Sequence, residues 1–158
     1  MFNVGDKVVY PMHGAGIIEA IEEKEILGET RKYYVMRIAH GDMTVMVPID
    51  HAAASGLREV IDAEQVPDVL SVLQDREVLI NGNWNSRYRA NLAKIKTGDI
   101  FAVAEVVRNL SLRERDKGLS AIERKMLNNA RQILISELVL AENAEEEQVE
   151  NWLAKALA

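Results

Sequence analysis

A polar segment in the middle of the chain carries a tryptophan among asparagines and arginines. Trp84 is flanked by Asn83 and Asn85, and Arg87 and Arg89 follow closely. The guanidinium groups could neutralise phosphates, the amides could hydrogen-bond to sugars or base edges, and the indole could stack on a base or insert at a disrupted base step. A second interpretation is that the indole covers a helical core and hydrogen-bonds to the loop. The residue types alone leave both interpretations open.

The balance of charge varies along the chain. The whole protein has 19 Lys and Arg residues against 25 Asp and Glu residues, a formal net charge of -6, which disfavours binding to polyanionic DNA. Residues 84–131, however, hold 11 basic and 5 acidic side chains, a local balance of +6. Further cations here could extend a basic surface, although cations near helix ends also interact with the helix dipole. They are Arg113, Lys117, Arg124 and Lys125.

The candidates for enzymatic chemistry are weak. The three histidines lack the spacing that places two metal ligands on one helix face, and the chain has no cysteine. The segment Gly14-Ala15-Gly16 precedes a strand-like run, whereas a phosphate-binding loop precedes a helix and carries a lysine. Neither Ser55 nor Ser120 lies in a recognisable hydrolase motif. We therefore expect no enzyme, no metal site, no cofactor and no small-molecule substrate.

The sequence also bears on location. No apolar run approaches the roughly 20 residues that a membrane helix needs. The absence of cysteine fits a reducing compartment. We expect a cytoplasmic protein that makes no contact with membranes.

The first part of the chain has the pattern of short strands. Runs rich in Val, Ile, Tyr and Met are separated by glycines and turn residues. Five short strands cannot bury much as a flat sheet, so we expect a small, strongly twisted antiparallel β-barrel. The predicted strands are 6–10, 15–26, 31–39, 43–48 and 57–60.

From residue 62 onward the apolar residues follow a helical period. Ser120 and Glu123 have the spacing of a capping box, which marks a helix start. The predicted helices are 62–75, 84–96, 99–115, 120–142 and 145–157. The fold class is therefore α+β, with a barrel domain over residues 1–61 and an all-helical bundle over 62–158.

Four segments resemble the CarD (CdnL) family of bacterial transcription regulators. They are VGDKVVYPMHG at 4–14, TVMVP at 44–48, the Asn83-Trp84 helix start with Arg87-Tyr88, and the stretch from GLSA to ARQIL at 118–134. The resemblance covers nearly the whole chain. The first domain is also shared with the transcription-repair coupling factor, but this chain lacks the G-x-x-x-x-G-K-[ST] motif of a translocase.

The resemblance implies a function and two partners. A Tudor-like domain would dock on the RNA polymerase β subunit by strand addition, and the helical domain would hold promoter DNA at the upstream edge of the transcription bubble. The tryptophan that inserts into the minor groove in the family matches Trp84, and its basic neighbours match Arg87 and Arg89. The protein would stabilise the open complex without reading a specific sequence, in the cytoplasm and associated with the nucleoid through polymerase.

The polymerase-facing side matches the family less closely. Lys24 stands where a basic contact is expected on the second strand, whereas Met46 occupies a position on the fourth strand that is basic in some relatives. Methionine could still pack against an apolar partner surface. The alternative function is a protein-interaction adaptor without direct DNA contact, in which Trp84 is a core residue.

Overall fold

The computed structural model describes residues 1–76 and 83–158, with strands in the first part and helices in the second. The strands are β1 (Lys7–Tyr10), β2 (Gly14–Ile26), β3 (Glu29–Ile38), β4 (Thr44–Pro48) and β5 (Arg58–Glu59). The helices are α1 (Val66–Gln74), α2 (Trp84–Lys96), α3 (Ile100–Asp116), α4 (Ala121–Glu142) and α5 (Glu146–Leu157). Short 3-10 turns cover Ile49–His51 and Ala63–Gln65. This order confirms the predicted α+β class.

The strands form one antiparallel sheet in the order β4-β3-β2-β1-β5. A glycine is required where β2 lies against β3, because a Cβ on Gly16 would come within 2.2 Å of the Arg37 carbonyl oxygen. The inner face of the sheet and the segment after β4 enclose one buried cluster: Val8, Ile18, Tyr34, Met36, Ile38, Val47, Ala52 and Leu57. The predicted barrel is this curled sheet, and β4 and β5 are its two edges.

The helical part packs around α3, which contacts α1, α2 and α4. Its apolar face and those of the neighbouring helices form a second buried cluster. Side-chain caps start α3 and α4, where oxygens of Asp99 and Ser120 accept backbone N–H groups. The predicted capping box forms in part: Ser120 Oγ accepts from the Glu123 N–H at 3.2 Å, but the Glu123 carboxylate faces Arg87 at 3.7 Å.

Polar groups on α4 join the helical part to the sheet. The Arg58 guanidinium donates two hydrogen bonds of 2.7 Å to the Glu137 carboxylate, whose side chain is 2% exposed. Ser136 Oγ accepts from the Ala15 N–H at 2.8 Å. The approach is close enough that a Cβ on Gly14 would lie 2.9 Å from this hydroxyl. The sheet and the bundle therefore share a specific, partly buried interface.

The chain passes from the sheet to the helices through a short connection. β5 ends at Glu59 and the next 3-10 turn starts at Ala63, and the domain limits expected from sequence, 1–61 and 62–158, fall between them. Within the connection, the Ile61 N–H donates to Glu137 Oε2 at 3.0 Å. The connection is thus held against α4.

Candidate nucleic-acid interface

Trp84 is the first residue of α2 and lies at the surface of the bundle. Asn83 caps the helix by accepting the Ser86 N–H at 2.9 Å, which fixes the position of the indole. The indole is 37% exposed and stacks on Tyr88, with ring centroids 5.4 Å apart and planes 13° from parallel. Its Nε1 lies 3.4 Å from Ser120 Oγ. Trp84 is outside the buried cluster of the helical part, so its ring is available to a partner.

A cationic pocket of about 210 Å³ lies beside this aromatic pair, between α2 and the end of α3. Three residues predicted for DNA binding line it, Arg87, Arg113 and Lys117, and they outnumber the one carboxylate of the described lining, Asp116. Asn91 also lines it and is 2% exposed, and within the part of the chain that the structure describes neither its Oδ1, an acceptor, nor Arg113 Nε, a donor, has a hydrogen-bond partner. The unused N–H of the Arg113 guanidinium suits an anionic ligand such as a phosphate.

The two arginines of the central motif have different surroundings. Arg87 has a side chain only 15% exposed and lies 3.7 Å from Glu123 of α4, whose side chain is 3% exposed. Arg89 is exposed, and so is Asn85, which lies one turn before it on the same face of α2. Arg89 is therefore placed to reach a phosphate directly, whereas Arg87 holds α2 against α4 at the edge of the pocket.

The remaining predicted cations lie on α4. Arg124 is largely exposed and lies 3.9 Å from Glu114. Lys125 is exposed and lines a groove of about 620 Å³ between α2 and α4, which is distinct from the cationic pocket. The predicted set therefore does not form one patch, because Lys125 lines a different surface from Arg87, Arg113 and Lys117.

Sequence reasoning missed three kinds of site residue. Tyr88 follows Trp84 by four residues, a spacing that brings side chains together on a helix and could have predicted the stacked pair. Asn91 looks like an ordinary helical residue, and only the packing shows that its amide is buried. The exposed amides of Asn128 and Asn129, which line the groove, stand out only once α4 is placed beside α2.

The two residues expected to face polymerase share the outer face of the sheet. Lys24 pairs with Arg31 and Met46 pairs with Val35. Because Arg31 and Val35 are four residues apart on β3, all four side chains lie on the same face. Lys24 is exposed, and Met46 is half-buried on the edge strand β4.

Within residues 1–76 and 83–158, no group of three or more His, Cys, Asp or Glu side chains could hold a metal ion. In the same residues, no helix combines the length and the apolar character that crossing a bilayer requires.

These features define a class of protein: an α+β protein whose antiparallel sheet is joined to a helical part with an exposed aromatic pair beside a cationic pocket. The family model described as "CarD-like/TRCF RID domain" matches residues 2–61, and that described as "CarD, C-terminal domain" matches residues 68–154. The chain belongs to the CarD family and is a transcription regulator by that membership.

Two relatives are similar over different lengths. The "Putative transcription factor YdeB" of Bacillus subtilis (strain 168) is 46% identical over 152 residues, which cover 96% of this chain and 99% of the relative. The solution NMR structure of the 72-residue N-terminal domain of Myxococcus xanthus CarD is 37% identical and covers 37% of this chain and 79% of that chain, with a TM-score of 0.33.

Proposed function

We propose that this protein binds RNA polymerase through its sheet and promoter DNA through its helical part, and that it thereby stabilises the open complex. The observation that carries the DNA contact is the exposed Trp84–Tyr88 stack beside a pocket lined by Arg87, Arg113 and Lys117. Such an arrangement suits DNA in which a base step is opened: the cations can contact the phosphates while the aromatic plane stacks at the opened step. The contact would be made at the upstream edge of the bubble, in the minor groove.

The polymerase contact would use the edge of the sheet. Membership of the CarD-like/TRCF family implies an interaction with RNA polymerase. β4 is an edge strand, and an edge strand can accept an added strand from a partner through its free backbone groups. We assign the partner strand to the polymerase β subunit, with Met46 and Lys24 on the outer face contributing side-chain contacts.

Tethering reconciles the net charge of -6 with DNA binding. A protein held on polymerase has a high effective concentration near the bubble, so a weak DNA site is sufficient. Association with the nucleoid would then come through polymerase and not through binding to free DNA.

The direct test is the lifetime of promoter open complexes, measured with purified polymerase after adding a competitor for free enzyme. The wild-type protein should lengthen the lifetime, co-purify with polymerase and extend the footprint at the upstream edge of the bubble. Co-purification without any change in lifetime or footprint would instead favour the adaptor function.

A further inference from the structure

The groove between α2 and α4 is separate from the cationic pocket and has a different lining. Its floor is formed by apolar side chains, among them Leu92, Ile95 and Met126. One wall presents the exposed amides of Asn128, Asn129 and Gln132. A volume of about 620 Å³ falls in the usual range of ligand sites, roughly 300–1,000 Å³.

The groove is continuous with the aromatic pair. Tyr88 lines the groove and also carries Trp84 stacked on its ring. Ile122, which is 53% exposed, extends the apolar floor. A chain of bases that stacks on the indole could therefore continue along the groove without leaving the protein surface.

We propose that this groove binds unpaired nucleotides of the DNA strand released at the edge of the bubble, an inference that rests on the proposed function. Apolar floors and aromatic rings bind the faces of bases, which are exposed only when bases are unpaired. Asparagine and glutamine amides each offer a donor and an acceptor, as the Watson–Crick edges of bases require. Paired DNA presents its base edges but not its base faces.

The charge of the lining favours a nucleic acid over a protein segment. Among the described lining residues, Lys125 is the charged one and no carboxylate is present. Its position on the rim suits a backbone phosphate. On the α4 side, the amides of Asn128, Asn129 and Gln132 line the groove beside apolar residues, and an apolar helix face bound there would leave these amides without hydrogen-bond partners.

The absence of cysteine allows a site-specific test. In the full chain, Asn129→Cys provides a unique attachment point for a thiol-linked photo-crosslinker inside the groove. After irradiation of polymerase open complexes, the crosslink should map to a strand that is unpaired at the upstream edge of the bubble. The matched variant Asn151→Cys, exposed on α5, should give no DNA crosslink.

A crosslinker at Asn85→Cys separates this inference from the proposed function. The groove assignment alone would be overturned if position 85 crosslinks to DNA while position 129 does not crosslink to an unpaired strand. In that case position 129 would crosslink to polymerase, to paired DNA or to nothing. Loss of DNA crosslinks at both positions would contradict DNA contact as a whole.

A conservative substitution measures the contribution of the groove. Asn129→Asp keeps the size of the side chain but replaces the donor by a negative charge. It should shorten the open-complex lifetime by about tenfold, the effect of losing one bound base. Asn151→Asp should leave the lifetime unchanged, and an Asn129→Asp variant as active as wild type would overturn the proposal.

Discussion

Arg87 and Arg89 lie two residues apart on α2, so a helix of 3.6 residues per turn points them to nearly opposite sides. Arg87 turns inward to Glu123, and Arg89 turns outward to solvent. The two arginines of this motif therefore have different roles. Arg89 can exchange water for a phosphate, whereas Arg87 is tied to the position of α4.

Replacing each arginine by alanine should separate these roles. Arg89→Ala should leave folding unchanged and lower the salt dependence of open-complex stabilisation by about one unit of slope, because one phosphate contact is lost. Arg87→Ala should also lower the free energy of unfolding by about 1–3 kcal/mol, since it removes a partner of buried Glu123. Lifetimes at several salt concentrations and denaturant titrations measure both effects. Equal stability losses in the two variants would contradict this assignment.

Trp84 is the residue at which the two interpretations differ most. Trp84→Ala should cost less folding stability than the roughly 3–5 kcal/mol of a core tryptophan, because the indole is 37% exposed and lies outside the buried cluster. It should shorten the open-complex lifetime by an amount equivalent to roughly 1–3 kcal/mol, because a stacking contact with DNA is lost. Thermal unfolding and open-complex decay measure the two quantities.

Trp84→Phe provides the control, since a smaller flat ring should retain part of the lifetime. A folding cost of about 3–5 kcal/mol for Trp84→Ala, with function lost only through unfolding, would instead make the indole a core residue.

At the level of elements, the sequence pattern predicted the fold class and the order of strands and helices. The start of α4 could be predicted because Ser120 is a strong capping residue after a glycine. The predicted strand 57–60 is reduced to Arg58 and Glu59, which pair with Val9 and Val8 of β1, while Val60 adds one backbone hydrogen bond to Lys7. Local residue patterns could not reveal this, since strand pairing depends on the position of the partner strand.

The residues of the candidate site could be predicted from the sequence, but the contacts between them could not. The composition around Trp84 indicates a polar, basic surface, but it does not show that Glu123 draws Arg87 inward. That contact joins α2 to α4 across 36 residues of sequence, and no helical period encodes it. The separation of Lys125 from the cationic pocket has the same origin, because it depends on how α2 packs against its neighbouring helices.

The outer face of the sheet gives a prediction with an internal control. Lys24→Glu and Met46→Glu should each weaken polymerase binding at low salt and leave the fold intact, because both side chains lie on the face proposed to meet the partner. Lys32, exposed on the opposite face of the β2–β3 hairpin, is the matched site: Lys32→Glu should bind normally. Pull-down with purified polymerase measures the affinity. If Lys32→Glu weakens binding while the other two variants do not, the docking face is the other one.

For the whole molecule, the interface between sheet and bundle determines how independent the two parts are. The period change near residue 62 predicts that residues 1–60 fold alone and bind polymerase, whereas residues 62–158 do not. The structure predicts that this separation lowers stability, because cutting the chain there would remove the Arg58–Glu137 and Ala15–Ser136 hydrogen bonds between the two parts. We expect the isolated sheet part to bind polymerase with reduced thermal stability.

A single substitution tests the interface in the intact chain. Glu137→Gln should lower the free energy of unfolding by about 3 kcal/mol, the lower end for a buried pair, because Arg58 is 30% exposed. Glu142→Gln, an exposed glutamate on the same helix, should change it by less than about 0.5 kcal/mol. Chemical denaturation provides the values. Equal stabilities of the two variants would show that the ion pair does not hold the halves together.

The pairing of Arg58 with Glu137 also fixes the distance between the edge of the sheet and the helical part. With α4 held against the sheet, the distance from edge strand β4 to Trp84 is constant, so under the proposed function the position of polymerase would determine where along the promoter the indole makes contact. One base pair spans about 3.4 Å, and a loosened interface would let the indole meet neighbouring steps as well. A regulator working in this way would be positioned by its distance from the enzyme and would not need to recognise a DNA sequence itself.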